Sequence, residues 1–76
     1  MRLTTNASVA ALLARNLRTL RRRERLTQAQ AAERWAAART TYAAWEEARA
    51  APKLATLLAG CRAFGLTLDQ LLTAKL

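Results

Sequence analysis

The stretch "AAERWAAARTTYAAWEEAR", residues 31–49, decides the fold, and it contains neither glycine nor proline. Alanine is the strongest helix former, and Arg and Glu stand close behind it. As one helix, Ala31, Trp35, Ala38, Tyr42 and Trp45 fall on one face at alternating four- and three-residue spacing. Such a helix, about 20 residues and about 30 Å long, would build a three-helix bundle or an antiparallel coiled coil. Against it stands Thr40-Thr41, a mildly unfavourable pair for a helix interior. Local physics leaves two readings open, one long helix or two short ones crossing at a sharp turn. The two present very different surfaces.

Outward from this stretch the punctuation is sparse. Pro52, Gly60 and Gly65 are the only breakers and β-branched runs are almost absent, so the chain reads as all-helical. A first helix is expected from about Ser8 to Arg25, with Asn6 or Ser8 as its cap. Val9, Leu13, Leu17 and Leu20 form its apolar stripe, and Arg15, Arg18, Arg22 and Arg25 fall on another face. Thr27 and Gln30 have capping-box spacing, so a new helix starts there. Pro52 suits a helix entrance, and Leu54, Leu57, Leu58, Cys61 and Phe64 make the next stripe. Gly65 stands where a left-handed C-cap is expected. Thr67 and Gln70 repeat the capping-box spacing and open a last short helix.

Seventy-six residues suffice for one small domain, taken here as residues 1–76. No run of about 18 apolar residues is present, so no membrane span is expected. The opening "MRLTTNASVAALLARN" has an apolar stretch interrupted by Arg15 and no cleavage site, and it does not read as a signal peptide. Cys61 is the only cysteine, which rules out an intrachain disulfide and fits a reducing cytoplasm. With no histidine, one cysteine and five acidic residues, metal sites and acid/base or nucleophilic catalysis have almost no raw material. No metal, no cofactor and no enzymatic activity are expected. Thirteen Lys and Arg against five Asp and Glu give a net charge of +8, and eleven of the thirteen are Arg. That balance suits a polyanionic partner, nucleic acid first and an anionic membrane surface second; solubility alone is the plainer explanation.

The order of these signals resembles the lambda-repressor/Cro-like helix-turn-helix proteins, the XRE family, over about residues 13–72. "LARNLRTLRRRERLTQAQAAERW" is similar to that family's first helix, its "LTQ" entrance and its second helix. "ARTTYAAWEEARAAPKLATLLAGCRAFGLTLDQLL" is similar to its recognition helix, the proline-bearing connection and the last two helices, ending in an "LxxLL"-type segment. No single element is very specific; the ordered set is. The resemblance implies a compact five-helix DNA-binding domain with a turn at Ala36 to Ala38. The second helix would then span about Gln28–Trp35 and the recognition helix about Arg39–Glu47. Three positions depart from the family pattern: Ala36 replaces the turn glycine, Ala38 the capping Ser or Thr, and Ala48 the closing glycine. A left-handed alanine costs roughly 1–2 kcal/mol and a lost cap about 1 kcal/mol. Burial of Trp35, Tyr42 and Trp45, roughly 150–250 Å² each, offsets that.

The resemblance also implies the binding residues. Arg39, Thr40 and Thr41 open the recognition helix, and Arg39 is the expected guanine reader, since a guanidinium donates two bonds to O6 and N7. Thr40 suits a base edge or a thymine methyl, and Ala44 is left with a methyl contact. Gln28 matches the family glutamine that grips phosphate and braces the recognition helix, and Thr27 adds a cap and its amide end. Arg49 and Lys53 lie where the family contacts the DNA backbone, whereas Glu47 puts a negative charge near that contact. Arg21 and Glu46 match positions paired as a partly buried salt bridge. For the exposed cations and threonines a solvated helix surface is the plain alternative. Trp35, Tyr42 and Trp45 suit a core at this spacing better than stacking on unpaired bases, and Cys61 reads as a small core hydrophobe.

These readings lead to a cytoplasmic, sequence-specific double-stranded DNA-binding regulator of transcription, a dimeric repressor by expectation. Leu66, Leu68, Leu71, Leu72 and Leu76 exceed what one short helix needs for its own core. Leu66, Leu68, Leu72 and Leu76 are therefore the expected dimer interface. The alternative is a protein-interaction module, an antitoxin or a degenerate helix-turn-helix with a protein partner. A membrane-surface role ranks low because the apolar side of the first helix is needed in the core.

Overall fold

The computed structural model describes residues 6–76, with side chains described from Val9 onward. The chain folds as α1 (Asn6–Arg23), α2 (Gln28–Arg34), α3 (Arg39–Glu46), α4 (Leu54–Phe64) and α5 (Leu68–Thr73), with no strand among the described residues. The opening stretch is therefore two helices. α3 packs on α2 and α1, while α5 packs on α1 and α4. Leu13, Leu17 and Leu20 of α1, Ala31, Ala32 and Trp35, Tyr42 and Trp45, Leu57, Cys61 and Leu71 make one core. Trp35 meets Trp45 edge-on at 6.2 Å and Phe64 at 5.7 Å, and Tyr42 meets Trp45 at 5.9 Å. Burial pushes the Cys61 thiol pKa up, so it stays protonated as a core group.

Why the chain turns without glycine is visible in its backbone bonds. Ala36 lies at φ 54, its N–H donates to the Glu33 carbonyl, and the Ala37 N–H donates to the Ala32 carbonyl. This is the Schellman pattern, which satisfies the last carbonyls of a helix through one left-handed residue. The same pair of bonds closes α1 around Arg25 (φ 56), α3 around Ala48 (φ 59) and α4 around Gly65 (φ 69). Only the last uses the residue that adopts this conformation without strain. α1 consequently ends at Arg23 rather than Arg25, and Arg25 leaves the α1 face to become the cap residue. Ser8 lies inside α1 rather than capping it, and a cap at Asn6 falls at the limit of the described residues.

Ala36→Gly should relieve the left-handed strain and raise stability by up to about 1 kcal/mol in chemical denaturation. A clear loss would contradict the turn.

Thr27 and Thr67 both form complete capping boxes with Gln30 and Gln70. Ala38 and Lys53 start α3 and α4 with no side-chain cap. The C-terminal end is fastened by a fully buried residue, Asn16. Its Nδ2 donates to the carbonyls of Leu71 at 2.7 Å and Ala74 at 2.8 Å, and its Oδ1 accepts from the Leu76 N–H at 3.0 Å. One amide thus satisfies three backbone groups just where α5 ends. The leucines expected at an interface serve this same end of the molecule. Leu71 is fully buried, and Leu66, Leu68, Leu72 and Leu76 are half-buried against the core. Among the described residues, the large apolar side chains left exposed are Val9, Leu54 and Leu58.

Candidate nucleic-acid interface

α3 is anchored at its C-terminal end and free at its N-terminal end. The anchor is Glu46, only 3% exposed. Arg21 grips its carboxylate with two bonds, Nε to Oε2 at 2.6 Å and Nη2 to Oε1 at 3.1 Å. Gln28 Nε2 donates to Oε1 at 3.1 Å. Arg18 Nη1 donates to the Glu46 backbone carbonyl, placing a cation on the negative end of the helix dipole. Burial on its own would raise the Glu46 pKa; Arg21 first, then the Tyr42 hydroxyl and Gln28, outweigh it and hold the carboxyl below its ordinary range. Burial, with that carboxylate close by, drives the Tyr42 hydroxyl far above its usual pKa, so it stays a neutral core group.

At the other end Arg39, Thr40 and Thr41 are all exposed, and the N-cap, Ala38, makes no side-chain cap bond to the first amides of the helix. A cleft of about 340 Å³ runs beside this turn, with Ala36, Thr41, Trp45 and Lys53 in its lining. It brings Thr41 of α3 and Lys53, the N-cap of α4, to one surface. Thr27 is exposed at the start of α2, where its hydroxyl accepts from the Gln30 N–H at 3.1 Å. Gln28 behind it is half-buried and turned to Glu46. Arg49 is exposed, with Nε on Glu47 Oε1 at 2.7 Å. Both partners are more than half exposed, so the pair is screened and weak.

Ala44 corrects the expectation of a methyl contact. It is 8% exposed, because a helix wedged between α1 and α2 buries a wide arc: Tyr42, Ala44, Trp45 and Glu46 all face inward. The fully exposed side chains of α3 are therefore those of its first turn, Arg39, Thr40 and Thr41. Arg18 falls with Arg15, Arg22 and Arg25 on a face other than the apolar stripe, yet it braces α3; only the tertiary fold brings it to the Glu46 carbonyl.

The sequence profile of the helix-turn-helix domain family matches residues 12–74, most of the chain. The chain belongs to that family. Two solved structures share the architecture of this helix-turn-helix domain. The crystal structure of the P22 c2 repressor protein in complex with synthetic operator 9T has a TM-score of 0.76 at 24% identity, covering 83% of this chain and 96% of that one. The hypothetical transcription factor NHTF from Neisseria has a TM-score of 0.77 at 28% identity, covering 95% and 83%. No curated protein sequence matches the chain. The fold is lambda-repressor-like, with α2 and α3 as the helix-turn-helix pair. A helix-turn-helix domain is a binding module, and the chain is not an enzyme. Among the described residues no helix is long and apolar enough to cross a membrane.

Proposed function

We propose that this helix-turn-helix domain is a transcriptional regulator, a repressor acting as a dimer on double-stranded DNA. The single observation that carries the reading is the polarity of α3. Its last turn is held by Arg21, Gln28 and Arg18, while its first turn offers Arg39, Thr40 and Thr41 to solvent. That is what a helix needs in order to enter a major groove N-terminus first. The P22 c2 repressor, described in complex with a synthetic operator, shares this fold and lends support.

In this reading Arg39 takes guanine, and Thr40 and Thr41 take a base edge or the adjoining phosphate. Thr27, Gln28, Arg49 and Lys53 grip the backbone on either side, with Arg49 leaving Glu47 for phosphate. The net charge of +8 supplies the sequence-independent attraction. Two copies on half-sites about one helical turn apart double the contacts that one short helix can make.

Selection of bound duplexes from a random pool tests the assignment. Arg39→Ala should cost about 1–3 kcal/mol on the selected site and relax preference at one base pair. An equal loss on every sequence would make Arg39 a phosphate contact instead. Failure to retain any duplex would favour the protein-binding alternative.

A further inference from the structure

We propose that Glu47 limits how tightly this domain holds any duplex, by competing with phosphate for Arg49 and by repelling the backbone beside it. The proposal rests on the DNA-binding reading above and adds to it a residue that weakens the complex.

The helical screw puts Glu47 on the uncovered side of α3. At about 100° per residue, Ala43, Glu47 and Thr40 lie about 40°, 80° and 100° round from Arg39. Arg39, Thr40 and Glu47 are exposed and Ala43 is half-buried, whereas Tyr42, Ala44, Trp45 and Glu46 point inward. Glu47 stands about 12 Å beyond Arg39 along the helix axis, and the major groove is about 8.5 Å deep. With the first turn of α3 at the base edges, Glu47 is therefore at the rim of the groove, where the phosphates are. Its surroundings agree. Gln28 donates to the carboxylate of Glu46, and Arg49 lies at 2.7 Å from that of Glu47. Gln28 and Arg49 are the side chains that the reading above assigns to the backbone.

The fold gains nothing from an acid at this position. Glu47 is the C-cap of α3, so its charge meets the negative end of the helix dipole, an unfavourable placement. It follows Glu46, whose carboxylate already takes the bonds of Arg21 and Gln28. The pair with Arg49 joins two exposed residues of one connection, is screened by solvent, and fastens no two helices together. At the rim of a groove the same pair acts differently. A phosphate that takes Arg49 must displace a carboxylate, and that carboxylate stays within a few ångströms of it as a like charge.

Fluorescence anisotropy with two unrelated duplexes of about 20 base pairs, at about 50 and about 200 mM salt, tests the proposal. Glu47→Gln should bind both duplexes about three- to tenfold more tightly than wild type at about 50 mM, as expected for removing one charge beside phosphate. The gain should shrink about threefold by about 200 mM, because one more cation–phosphate contact steepens the salt dependence. Asp69→Asn makes the same change in net charge in the first turn of α5 and should bind like wild type. Equal tightening by both variants would make the effect one of net charge and overturn the proposal. So would a Glu47→Gln variant that binds like wild type or more weakly; weakening on one duplex alone would make Glu47 a base reader that accepts from cytosine N4. Wild type holding neither duplex at about 50 mM strikes the DNA-binding reading and this proposal with it. Wild-type binding without a gain in Glu47→Gln overturns this proposal alone.

Discussion

Gly60→Ala should cut the stability of the domain by about 3 kcal/mol or more, lowering its melting temperature by about 15 °C. A Cβ at that position would fall deep inside the van der Waals shell of Trp35, nearest its Cζ3, Cε3 and Cη2 atoms. The indole has nowhere to retreat, because it is held between Trp45 and Phe64. Elsewhere in a helix the same change gains about 1 kcal/mol through propensity, so the sign of the effect separates packing from propensity. Thermal unfolding followed by circular dichroism reads it directly. A more stable variant would contradict the seating of α4 against Trp35.

Glu46→Gln should cost about 2–3 kcal/mol, because it leaves the Arg21 guanidinium without the charge that its two bonds answer. The same residue sets an acid limb. Its pKa is lowered on folding, so its contribution is complete above the ordinary value of 4.5 and is lost as pH falls through the lower folded value. Urea denaturation from pH 7 downward should therefore show wild type losing its advantage below that range, with Glu46→Gln on a flatter limb. Parallel limbs would mean that Glu46 gains nothing from Arg21 and Gln28. Because Glu46 fixes the last turn of α3, this variant should also weaken binding to DNA of every sequence.

The parts of this architecture that obey local rules were legible from the residues. Thr27 and Thr67 cap where their spacing says, Gly65 is left-handed, and Leu13, Leu17 and Leu20 of α1 and Leu57, Cys61 and Phe64 of α4 face the core, whereas Val9, Leu54 and Leu58, expected in the same stripes, are exposed because they lie at the edge of the arc their neighbours cover. The turn at Ala36 was not legible locally, since alanine prefers helix; the ordered resemblance to a known family placed it there. Arg25 hides the end of α1 for the same reason, being a good helix former obliged to take φ 56. Asn16, Gly60 and Arg18 gave no signal at all. Each acts on a partner far along the chain, Asn16 on Leu71, Gly60 on Trp35 and Arg18 on Glu46, and periodicity carries no information about such pairs. At the candidate interface the sequence located Arg39, Thr40 and Thr41 on the exposed turn but misjudged Ala44. The buried arc of α3 depends on how closely α1 and α2 enclose it.

Amide chemical-shift mapping during titration with a mixed-sequence duplex of about 20 base pairs, at about 50 and about 200 mM salt, tests the central claim most directly. The account predicts that the largest shifts fall on Arg39, Thr40, Thr41, Thr27 and Lys53. It also predicts that affinity drops at least about tenfold at the higher salt. Absence of binding at the lower salt, or shifts centred away from the first turn of α3, would contradict it.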